Sequence, residues 1–144
     1  MELKELIELA KKSGACDRNL DEIKKYNTIE EACEDRESYH WAFWLRVNVK
    51  DLPENMKRKA EEKCCEEPER AYLLRKWVKG VPEHIKRLAE KKACEDPQSA
   101  YLLRFYVKDL PEHIKRRAEE KACEDPIWAY SLRKDIKDIS ENIK

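Results

Sequence analysis

Between residues 81 and 93, Val81, Ile85, Leu88, Ala89 and Ala93 recur at helical spacing, and the positions between them are mostly charged. That spacing predicts an amphipathic helix with one apolar stripe. Glu83/Arg87 and Lys86/Glu90, each four apart, mark the opposite face as mixed in sign and solvated. Asp96-Pro97 follows, an N-cap residue and a proline at the first helical position, where its missing N–H is harmless. Ala100, Leu103 and Val107, with Tyr101 and Leu102, then form a wider stripe. The second helix is therefore predicted to be the more buried of the two. Its end is expected at Asp51, Gly80, Asp109 or Asp138 in successive copies, residues that tolerate a left-handed conformation.

The unit recurs. Leu52-Pro53, Val81-Pro82 and Leu110-Pro111 keep one constant step along the chain, as do Cys65, Cys94 and Cys123, and Pro68, Pro97 and Pro126. A fixed step of this size means stacked supersecondary units, each too small to bury its own apolar face. The fold expected is all-α: an α-solenoid of 29-residue helix-turn-helix repeats, read as one domain. Residues 52–80, 81–109 and 110–138 are the repeats, and 139–144, opening on Ile139-Ser140, begin a truncated one. Residues 36–51 hold half of a divergent first repeat, with Arg36–Ser38 as extra residues between its helices. Residues 1–35 are predicted to form an N-terminal helical cap with a boundary near Asn27-Thr28, since terminal repeats need a modified face. Ala60, Ala89 and Ala118 are expected between the two helix layers, where small side chains let helices approach.

The strings L-P-E-H-I-K-R-R-A from Leu110 and C-E-D-P-x-x-A-Y from Cys123 carry a resemblance. They are similar to the leucine-rich-repeat variant and HEAT-like families, in which a Leu-Pro opens one helix and an Asp-Pro the next. They also resemble D-P-x-x-A-Y repeat arrays of phage and viral proteins. The likeness covers roughly Leu52 to Lys144, and it implies an α-solenoid used as a binding scaffold.

Charge narrows the choice of partner. Charged residues make up 43% of the 144, yet 31 Lys and Arg balance 31 Asp and Glu, so no net field steers the chain toward nucleic acid or an anionic membrane. Gln98 and Thr28 are the only residues of their types, a thermophile-like bias toward Lys and Glu. No signal peptide or apolar membrane span is read, and the expected location is cytoplasmic.

Candidate chemistry is sparse. The six cysteines lack a C-x-x-C pair, and Cys64 takes the slot of Ala93 and Ala122, as a small buried hydrophobe would. A disulfide involving Cys16 or Cys33 is the exception left open. His84 and His113 share a slot with Asn55 and Asn142, which reads as a polar first-turn position rather than a metal ladder. The sequence around His40, next to Trp41, marks no obvious catalytic arrangement of carboxylate or Cys, so no catalytic constellation is proposed, and no metal or cofactor. Arg46, Arg75, Arg104 and Arg133 recur at one slot. They either pair with acidic residues of the C-E-D turn or form a basic ladder for phosphates, the alternative function being nucleic-acid binding on a HEAT-like stack. The departures from the repeat are the candidate interface: Trp41, Ile127 and Trp128 at the ends, and Trp77 and Tyr106, whose slot becomes Asp135 in the last copy. Trp41 and Trp128 either cap the stack or form association patches, the latter allowing a homo-oligomer through the terminal repeats. The expected function is a non-catalytic scaffold for a protein or peptide partner.

Overall fold

The computed structural model describes residues 1–34, 39–140 and 143; Arg36–Ser38 and Asn142 lie outside them. Helices joined by short turns make up the described residues, and none of them forms a strand. In chain order the helices are α1 (Leu3–Lys12), α2 (Asp17–Lys24), α3 (Ile29–Glu34), α4 (Tyr39–Asn48), α5 (Glu54–Cys64), α6 (Pro68–Trp77), α7 (Glu83–Ala93), α8 (Pro97–Tyr106), α9 (Glu112–Ala122) and α10 (Pro126–Asp135). They fall into two compact units, residues 1–64 and 65–144.

In the first unit α1 packs on α2, α2 on α4, and α4 most extensively on α5. Leu6, Ala10, Ile23, Trp41, Leu45, Val49 and Met56 form its core. The chain turns out of α1 through a glycine cap. Gly14 holds φ +86°, the Gly14 N–H reaches the Lys11 carbonyl at 3.1 Å, and the Ala15 N–H reaches Ala10 at 3.0 Å. That pair of bonds satisfies carbonyls the helix end would leave open. The predicted boundary at Asn27-Thr28 is a reciprocal cap of α3. Thr28 Oγ1 accepts the Glu31 N–H at 3.0 Å while a Glu31 carboxylate oxygen accepts the Asn27 N–H at 2.9 Å.

In the second unit α6, α8 and α10 form one layer, since α8 packs on both of the others, and α7 and α9 form the second. The tightest partner of α6 is α7, and of α8 it is α9, so each second-type helix packs on the helix that follows it. Ala89 and Ala118 are buried between the layers, as the spacing predicted, and Ala60 is buried at the matching slot of the first unit. Leu74, Leu103 and Leu132, one per repeat, are wholly buried.

Starts of α6, α8 and α10 follow the prediction: Pro68, Pro97 and Pro126 occupy the first turn. The carboxylates of Glu67, Asp96 and Asp125 accept the N–H groups of Arg70 (2.8 Å), Ser99 (2.9 Å) and Ile127 (2.9 Å). The ends do not. These helices stop at Trp77, Tyr106 and Asp135, and the next residue, Val78, Val107 or Ile136, is already extended. A β-branched residue with its side chain buried is well suited to that extended conformation. The acidic residues expected to close the helices in a left-handed turn do not do so: among the described residues only Gly14 and Gly80 have positive φ.

Candidate functional site

The four repeated arginines are positioned by helices α4, α6, α8 and α10, and three of them point into the protein. Arg46 Nε donates to Glu61 at 2.7 Å, Arg75 Nε to Glu90 at 2.9 Å, and Arg104 Nε to Glu119 at 3.0 Å. Each glutamate lies 15 residues beyond its arginine, in the middle of the next helix and beside the small residue of the layer interface. Glu61, Glu90 and Glu119 are buried, with exposures of 0%, 0% and 1%. A buried carboxylate needs every lone pair met. Arg58 and Arg87 supply a second guanidinium to Glu61 and Glu90 from one turn earlier on the same helix. Glu119 is served differently: Ser140, where earlier copies have proline, donates its N–H at 3.2 Å and its hydroxyl at 2.7 Å.

A second set of links runs from the same arginines into the turn beyond the following helix. Arg75 Nη2 meets Asp109 at 2.9 Å, and Arg104 Nη2 meets Asp138 at 2.9 Å. These aspartates are the residues expected to cap the helices. The hydrogen bond and charge of Arg104 hold the Asp138 carboxyl below its ordinary range. A carboxyl depressed in the folded state contributes stability at neutral pH that is lost as pH falls through its folded pKa. Asp138→Asn should therefore lower the urea midpoint at pH 7, with the difference from wild type shrinking as pH falls below the usual aspartate range. A difference independent of pH would show that the Arg104 pairing is not its source.

The expected pairing of the arginines with carboxylates is found, but with mid-helix glutamates rather than the C-E-D turn. The Arg46, Arg75 and Arg104 guanidiniums are thus each engaged by a glutamate of the same unit. Of the four, Arg133 alone is exposed, and among the described residues it donates to the carbonyls of Ala129 at 3.5 Å and Ile143 at 3.4 Å.

The interface candidates separate into two groups. Trp41 is buried in the core of the first unit. Trp128 is half-buried, its ring 5.3 Å from that of Tyr101 and packed on the cluster of Leu132, Ile136 and Ile139. Trp41 is a core residue, and Trp128 packs within its own unit while keeping part of its surface in solvent. Trp77, Tyr106 and Ile127 are exposed, by 61%, 46% and 68%. Trp77 and Tyr106 sit at the last position of α6 and α8. Between them lies Lys76 Nζ, 4.8 Å from the Trp77 ring centre and 3.7 Å from that of Tyr106. The Tyr72 ring backs this group, 6.3 Å from Tyr106.

The Glu67 and Asp96 carboxylates, which line a groove between the starts of α6 and α8, are taken up as helix caps. Burial pushes the Cys94 thiol up to about 11, which suppresses its thiolate. Cys16, Cys64, Cys65, Cys94 and Cys123 are thiols, so the disulfide left open for Cys16 is not formed, and the Cys33 side chain lies outside the described residues. His84 and His113 are exposed, and among the described residues no His, Cys, Asp and Glu cluster could hold a metal. No described helix is long and apolar enough to cross a membrane.

The fold and these sites define an all-α helical repeat protein with a buried ion-pair ladder and an exposed aromatic edge. Comparison with protein-family models, with curated proteins and with solved structures finds no match.

Proposed function

We propose that the protein is a non-catalytic interaction scaffold that holds a protein or peptide segment against the edge formed by the C-terminal ends of α6 and α8. The observation that carries this reading is the exposure of Trp77 and Tyr106 at one repeated slot with the Lys76 ammonium between them. Large rigid aromatics beside a cation suit a partner segment that offers apolar groups and a carboxylate. The same slot holds Asp135 in the last copy, where it accepts the Tyr101 hydroxyl.

The test is site-directed photo-crosslinking in the native host, with a photoreactive phenylalanine at position 77 or 106 and a control at His113 on the exposed face of α9. A discrete adduct is expected from 77 and 106 and not from 113. The same absence of adduct from all three positions would remove this reading. For the nucleic-acid alternative, the expected result is no retention on heparin at low salt, because three of the four repeated guanidiniums are held by glutamates.

A further inference from the structure

A groove of about 340 Å³ opens between the starts of α6 and α8. Ser99, which lines it, is the small residue at a slot held by Trp41, Arg70 and Trp128 in the other copies. In the last copy the Trp128 ring lies 5.3 Å from that of Tyr101; Tyr72, the counterpart of Tyr101, lines the groove beside Ser99. Ser99 is 3% exposed, and its hydroxyl makes no hydrogen bond among the described residues. The oxygen is not sealed from solvent, so it faces the groove that Ser99 lines. Three carboxylates line the same groove, those of Glu67, Glu69 and Asp96, and no cationic residue does. Glu67 uses two bonds and Asp96 one on helix N–H groups, against about four acceptor sites on a carboxylate. Glu69 is exposed and pairs with no cation among the described residues. The starts of α6 and α8 each carry about half a positive charge, which offsets about one of the three negative charges. The groove stays negative, and its spare sites accept hydrogen bonds.

We infer that this groove binds the guanidinium of an arginine side chain presented by a partner segment. The guanidinium is flat, as are the side chains at the Ser99 slot in the other copies, and its fork of N–H donors matches carboxylates and a hydroxyl. A lysine ammonium carries the same charge without the plane. A free amino acid brings its own α-carboxylate into the negative groove, whereas a residue within a chain does not, and this selects a partner segment as the source. The site does not rest on the Trp77–Tyr106 edge, which stands at the opposite ends of the same two helices.

The probe is Nα-acetyl-arginine amide, titrated into the full chain and followed through the backbone amide signals by NMR. Saturable shifts are expected at Glu69, Gln98 and Ser99, which line the groove. Nα-acetyl-lysine amide should bind at least about threefold more weakly, for want of the plane, and so should Nα-acetyl-arginine, whose free carboxylate meets the acidic rim. Ser99→Trp, which places the residue of the last copy in the slot, should abolish the shifts. Glu69→Gln, at the exposed rim, should weaken binding by about threefold. It gives an independent reading should Ser99→Trp perturb the fold, as judged by its urea midpoint. Trp77→Ala should change nothing, which keeps this result separate from the aromatic edge. An absence of saturable shifts overturns the inference, as does binding indifferent to both groove variants, loss with Trp77→Ala alone, or equal affinity for the lysine analogue. Equal affinity for Nα-acetyl-arginine would overturn the partner segment as the source.

Discussion

Glu90→Ala is expected to lower the stability of the second unit by about 3–5 kcal/mol, the range for breaking a buried pair from one side. The carboxylate accepts from Arg75 and Arg87 with no exposure of its own. Arg87 is about a third exposed and can turn to water, but the Arg75 side chain is only 7% exposed. Without Glu90 its guanidinium keeps a single partner, Asp109, whose side chain is largely in solvent. The loss should be read from urea unfolding beside Glu83→Ala, an exposed first-turn carboxylate whose removal should change stability by under about 0.5 kcal/mol. The paired replacement Arg75→Met with Glu90→Leu should recover most of the loss, because no charge is then left buried. If the double variant is no more stable than Glu90→Ala, the ion pair is not what makes the single change costly.

Leu103→Ala is expected to lose about 2–5 kcal/mol, the transfer energy of the side chain plus the cavity left behind. Leu103 is wholly buried on α8, the helix that packs against α6, α7, α9 and α10, so little around it can collapse into the gap. Leu88→Ala, at a site half-exposed to solvent, serves as the comparison and should stay within about 0.5 kcal/mol. Equal losses at the two positions would contradict the layer assignment.

Helix starts, the repeat and the core were legible because each is encoded locally. Pro68, Pro97 and Pro126 announce first turns, and Leu74, Leu103 and Leu132 keep the stripe in register. Glu61, Glu90 and Glu119 were not, since a glutamate on a helix rich in Lys and Glu has the pattern of a solvated face. One signal was present: a glutamate repeats directly after Ala60, Ala89 and Ala118, always at the same distance beyond an arginine. The ends of α8 and α10 were misplaced because Asp109 and Asp138 have the chemistry of a turn residue. Their actual use, accepting from an arginine 34 residues earlier, is set by tertiary packing. Trp41 and Trp128 show the same limit. A departure from the repeat marks a changed environment, but it does not say whether the new side chain faces a neighbour or the solvent.

The two links made by each buried arginine amount to a ruler. Arg75 and Arg104 each reach one carboxylate in the middle of the following helix and another in the turn beyond it, so one guanidinium measures both lengths of chain at once. A copy longer or shorter by a single residue would rotate its glutamate about 100° around the helix axis and carry it out of the layer. An insertion or deletion between an arginine and its glutamate is thus penalised by an unpaired buried charge, whereas a change of length outside that stretch, or a substitution on an exposed face such as those of Trp77, Tyr106 and Ile127, is not.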